Sequence, residues 1–129
     1  MRNESGVICK ETYILKYFCL ILLGFLFSSI ALAGDGSGVV QRIYVHEKND
    51  YYGGETDVIM FAVTNHTDQP STCTNHEWAF SITTEKGKAM YALLLSAAAQ
   101  KQNLVIKGSG DCEAWNGRER PYYMYVDYN

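Results

Sequence analysis

The chain has 129 residues, with 11 Lys and Arg against 14 Asp and Glu, a formal net charge of −3. That length suits one domain. No basic patch interleaved with aromatics occurs along it, which argues against nucleic acid and against an anionic membrane surface, because both need clustered cations.

Residues 1–33 read as a signal peptide. Arg2, Lys10 and Lys16 give a basic start, and from Phe18 the chain runs FCLILLGFLFSSIALA. Ala31, Leu32 and Ala33 fit the small-x-small rule for signal peptidase, so the mature chain begins at Gly34. The competing reading is an uncleaved membrane anchor, but the run is short for a span of about 20 residues. Cys19 lies too early in the apolar run for a lipid anchor. The remaining residues, 34–129, are expected to form a single exported domain, periplasmic or secreted, with no membrane contact after cleavage. It carries eight Lys and Arg against twelve Asp and Glu, a net charge of −4. A chain of this size buries only about 60–65% of its unfolded surface, so a covalent staple would help it.

In chain order, GDGSG at 34–38 reads as a flexible leader. Residues 39–46 (VVQRIYVH) read as a strand, with Val39, Ile43 and Val45 on one face. A loop with Asn49, Asp50, Gly53 and Gly54 follows. Residues 57–64 (DVIMFAVT) predict a strand covered on both faces, because six apolar residues run together. After a polar loop, residues 77–82 (EWAFSI) predict a third strand with Trp78, Phe80 and Ile82 pointing one way. A helix then runs to about Lys101, capped by Thr83 or Thr84 and with Glu85 at its positive end. Ala89, Met90, Leu93, Leu94 and Ala97 form its core stripe. Residues 104–108 (LVIKG) and 122–128 (YYMYVDY) predict two more strands. The fold class is therefore mainly β with one helix, in the order β-β-β-α-β-β. That is the order of the OB-fold, a small Greek-key barrel. The alternative is an open antiparallel sheet with one packed helix.

Four cysteines become two after cleavage, Cys73 and Cys112. In an oxidising compartment an even pair reads as a disulfide, closing a loop of about 40 residues worth roughly 3–4 kcal/mol in the chain-entropy model. Zinc is the rival, because Cys73 and His76 have a C-x-x-H spacing. Its remaining ligands would be Cys112 and a distant His46 or His66, whereas structural zinc favours paired ligands. Free thiols are a third reading. The absence of C-x-x-C argues against a thioredoxin-like role.

No catalytic set assembles. His46, His66 and His76 lie on or near loops, and Ser96 sits mid-helix without a nucleophile elbow. Glu113 and Glu119 flank Trp115 but read as solvated acids of a charged loop. No Walker loop or dinucleotide fingerprint occurs. The expectation is a non-enzymatic domain with no cofactor and no metal. Its candidate binding residues are Tyr51, Tyr52, Trp115, Arg118, Arg120 and Tyr122, where flat rings lie beside hydrogen-bonding groups suited to a carbohydrate or a protein partner. The structural alternative has Trp115 covering the disulfide or the barrel end. The helix carries no charge between Ala89 and Ala99. Tyr91, Leu95 and Ala99 are therefore candidate contacts in a homo-oligomer. The alternative there is that Tyr91 shields Leu95 and the alanines only favour helix.

Three motifs carry a resemblance. Trp78 and Phe80 form a W-x-F strand; Gly87, Lys88, Met90 and Tyr91 a G-K-x-M-Y helix; Gly108, Gly110, Cys112 and Trp115 a G-x-G-x-C-x-x-W turn. The stretch 78–115 thus resembles a group of short, exported, mostly uncharacterised bacterial proteins. More distantly, the element order, size and export signal resemble the B subunits of the subtilase cytotoxin family. That resemblance implies an OB-fold, ring assembly and binding of host glycans. It places no glycan contact on any residue of this chain.

Overall fold

Six consecutive apolar residues, 58–63, cannot all face one side of a strand, so both sides of the sheet must be covered there. A computed structural model shows how; it describes residues 32–48 and 56–128. These fall in one compact unit, Ala31–Asn129. Strands β1 (Asp35–Lys48), β2 (Thr56–Thr67) and β3 (Asn75–Ser81) form an antiparallel meander. Helix α1 (Glu85–Gln100) follows, then β4 (Leu104–Gly108), a two-residue β5 (Arg118–Glu119) and β6 (Pro121–Val126). They make one sheet in the order β5-β3-β2-β1-β4-β6, with β5 parallel to β3. The sheet curls into a half-barrel with the helix packed on it, consistent with a small barrel-like fold. The third and fourth long strands join through α1, as the expected order requires.

Burial follows the alternation of β2. Ile59, Phe61 and Val63 enter the main core with Trp78, Phe80, Leu94 and Ile106. Val58 and Met60 face the other way, onto Ala79, Ala114 and the partly buried Trp115. Each fully buried side chain of this size contributes roughly 1.5–3 kcal/mol, so the double cover makes β2 the hydrophobic centre of the fold.

The expected leader at 34–38 is instead the start of β1. Asp35, Gly36 and Ser37 pair with β2 on one side and β4 on the other, which makes this segment central in the sheet. Glycine is needed there because a Cβ on Gly36 would lie 2.9 Å from the Trp78 ring. The single face expected for Val39, Ile43 and Val45 is also corrected. Register shifts between Ser37 and Val40 and between Val40 and Arg42 move the pleat, as bulges do. Val40 and Ile43 pack on the core, while Val39 is exposed and Val45 is 64% exposed.

Helix α1 starts at Thr84, whose hydroxyl accepts the Gly87 N–H at 3.1 Å. A side chain at position 87 would collide with the Ser81 carbonyl, so glycine lets the first turn press against the end of β3. The buried stripe is Gly87, Met90, Leu94 and Ala97; Ala89, expected within it, is exposed. Lys101 ends the helix in the left-handed region at φ 53°, its N–H directed at the Ala97 and Ala98 carbonyls.

Candidate functional site

The turn GSGDCEAWNGRERPYY, residues 108–123, gathers most of the polar chemistry. Cys112 pairs with Cys73, with their Cα atoms 5.7 Å apart. The sulfurs are thereby taken, and the zinc and free-thiol readings lapse. The bridge ties this turn to the loop before β3. Beyond it, Ala114 is fully buried and Trp115 lies over the second core cluster, its ring 4.8 Å from His46. Gly117, at φ 77°, turns the chain so that the Arg118 N–H reaches the Trp115 carbonyl.

Arg118 and Arg120 both hold carboxylates. Arg118 directs Nε and Nη2 to Glu77 Oε2, each at 2.7 Å, while Arg42 Nε lies 3.2 Å from Glu77 Oε1. Glu77 is buried, and two guanidiniums offset the cost of its charge. Arg120 holds Asp111 at 2.8 Å and Glu113 at 3.4 Å. Burial pushes the Asp111 carboxyl up, but hydrogen bonding from Ser109, the Glu113 N–H and Arg120 outweighs it and holds the group below its usual value.

Glu119 corrects the sequence reading outright: it is 0% exposed rather than a solvated loop acid. Its Oε1 accepts the Gly34 N–H at 2.9 Å and the Gly110 N–H at 3.0 Å. A Cβ at Gly34 or Gly108 would collide with its carboxylate, which explains the first glycine of the G-x-G turn. The second, Gly110, turns at φ 80° and supplies a donor. His66 Nε2 stands 3.6 Å from Oε2, with its ring stacked on Trp78 at 4.1 Å. Burial lowers the His66 pKa against the opposing pull of the His76 backbone and Glu119. The imidazole is accordingly neutral at neutral pH.

A cleft of about 340 Å³ opens where the first turn of α1 meets the start of β6. Phe80, Met90 and Pro121 give it apolar walls, and Thr84 and Ser109 bring hydroxyls. Lys86, Arg120 and Tyr122 also line it. Tyr122 is 63% exposed, and Lys86 Nζ lies 5.3 Å from its ring centroid. Of the residues expected to bind, Arg120 and Tyr122 thus meet in one place. Trp115 and Arg118 do not line the cleft, and Tyr51 and Tyr52 lie outside the described residues. Lys86, Thr84 and Ser109 escaped sequence reasoning as binding groups; Thr84 was legible only as a cap, and nothing local sets Lys86 opposite Tyr122. On the helix, Tyr91 is half-buried against the core, whereas Leu95 and Ala99 are exposed. No family model, curated protein or solved structure matches the chain.

Proposed function

We propose that the protein is an exported, non-enzymatic binding module that takes a carbohydrate in the cleft between α1 and β6. The observation that carries this reading is the meeting of Tyr122, Lys86 and Arg120 over apolar walls edged by hydroxyls. An exposed ring offers a stacking face for a sugar, and the hydroxyls and cations offer directional hydrogen bonds to its polar rim. The Lys86 ammonium beside the Tyr122 ring favours a sugar with an acidic group. Export is supported by the Cys73–Cys112 disulfide, which belongs to an oxidising compartment. Among the described residues no helix is long and apolar enough to cross a membrane. The likeness to glycan-binding toxin B subunits points the same way.

A glycan array on the purified protein tests this. Binding to acidic glycans is expected, weakened about tenfold or more by Tyr122→Ala, in line with an aromatic contact and its buried area. A blank array with folded protein would favour the other class, an envelope accessory protein that contacts only protein partners.

The outer face of α1 favours a second reading alongside the first, association with another copy of the chain. Ala89, Ala92, Leu95 and Ala99 are exposed together, with Leu95 at 43%. Light scattering at tens of micromolar is expected to give a mass above the monomer, reduced to the monomer by Leu95→Arg. A wild-type monomer would refute it.

A further inference from the structure

Glu119 is a fully buried carboxylate, and its Oε2 has no hydrogen-bond partner. Burying a charge is costly unless it is paired and hydrogen-bonded. The Oε1 atom receives two backbone N–H groups, from Gly34 and Gly110. His66 approaches Oε2 but is itself buried, and burial opposes its protonation. The Glu119 carboxyl group therefore has more acceptor capacity than these contacts use.

The nitrogen of Gly34 stands 2.9 Å from that carboxylate. Gly34 is also the residue after Ala31, Leu32 and Ala33, the expected signal-peptidase motif. Exposure changes abruptly at this bond: Leu32 and Ala33 are exposed and Gly34 is buried. The carbonyl of Gly34 accepts the Gly108 N–H at 2.7 Å, so the residue is held on both its polar groups. Glycine is required, because a Cβ there would strike Glu119 Oε2. A second absent side chain, at Gly108, makes room for the same carboxylate from the other side. Two glycines, a buried acid and a reserved backbone nitrogen amount to a built receptor for one chain position.

We propose that cleavage of the Ala33–Gly34 bond creates a buried ion pair between the new α-ammonium of Gly34 and Glu119, so that removal of the leader completes the fold. The step is hydrolysis by a signal-type peptidase. Water is consumed, Ala33 leaves as a carboxylate, and Gly34 keeps its nitrogen as an ammonium. An amide offers one proton to this pocket and no full charge; the ammonium offers three protons and a positive charge to the carboxylate whose Oε1 the nitrogen already faces. This inference rests on the export reading and adds to it a structural role for the processed terminus.

The full-length chain, expressed for export and purified from the envelope or medium, tests both layers. Intact mass is expected to show a product that starts at Gly34. A product retaining Ala33 would overturn the cleavage and the ion pair together. For a product starting at Gly34, the α-amine is titrated by its rate of labelling with an amine-reactive reagent, located by peptide mass spectrometry. The titratable groups around it are Glu119 on β5 and His66 on β2, with the Asp35–Lys107 ion pair next along β1 and β4. Pairing is expected to slow labelling about tenfold or more against the urea-unfolded chain and to raise the midpoint of its pH profile above the usual value of about 8. Glu119→Gln, folded by circular dichroism, should return the midpoint to about 8 or below, which burial alone would not do. A wild-type amine that labels as it does in urea, or a midpoint untouched by Glu119→Gln, would refute the pair and leave cleavage standing. If Glu119→Gln does not fold, the wild-type labelling profile decides alone.

Discussion

Glu119 and His66 sit side by side in the interior, and each makes a prediction at the scale of one residue. A methyl group at position 108 would meet the Glu119 carboxylate, which neighbours hold in place. Gly108→Ala is therefore expected to cost about 3 kcal/mol, the upper range for overpacking, measured as a lower urea midpoint with unchanged slope. His66 has a lowered pKa in the folded chain, caused first by burial. Between that value and the unfolded value of about 6.5 the unfolded chain binds more protons, so stability rises with pH across this window. It is present above about 6.5 and is lost as pH falls through the folded pKa. Glu119 and His76 are the titratable groups that face His66. His66→Phe, which keeps a ring on Trp78, is expected to flatten the fall in thermal midpoint between pH 7 and 5. An unchanged slope would locate acid sensitivity elsewhere.

At the scale of the element, α1 and β1 show what patterning reveals and what it conceals. The cap at Thr84, the end near Lys101 and the inward Met90, Leu94 and Ala97 all follow from short-range rules, so the sequence displays them. β2 was equally legible, because a run of six apolar residues has only one comfortable place in a sheet. β1 was not. Its glycines look like a leader because alternation is silent where side chains are missing, and what excludes a side chain lies far along the chain: Glu119 at Gly34, the Trp78 ring at Gly36 and Thr64 at Gly38. The bulges then shift which of Val39 and Val40 turns inward, something only the partner strand determines. Glu119 was hidden for the same reason: charge and loop context describe solvent exposure on average, while its burial depends on Gly34 and Gly108. In the cleft, Tyr122 and Arg120 were legible as an aromatic and a cation two residues apart, whereas Lys86 arrives from a different element. Gly87→Ala tests the close approach of α1 to β3. Collision with the Ser81 carbonyl is expected to cost about 2–3 kcal/mol, despite the better helix propensity of alanine, and thermal melting would register it.

For the whole molecule, the Cys73–Cys112 bridge joins the 108–123 turn to the loop before β3, 39 positions apart in sequence. Replacing both cysteines by serine is expected to remove roughly 3–4 kcal/mol of stability through the freed loop. Denaturation with and without reductant measures this, and the serine variant should match the reduced wild type. The sheet itself ends unequally. β5 is two residues long, while β6 is a longer edge strand, unpaired on its outer side among the described residues, whose exposed tyrosines include Tyr122, Tyr123 and Tyr125. Such an edge is the part of the surface most open to pairing with another chain.

The bond between Gly34 and Glu119 links positions 85 apart in sequence. As the polypeptide emerges from its site of synthesis or from a translocation pore, β1 can settle against β2 and then β4, but the Gly34 N–H has no carboxylate to meet until Glu119 has followed. Truncation ahead of Arg118 would thus leave that nitrogen facing no acid, so the earliest-made contact point of the domain is closed by one of its later-made strands.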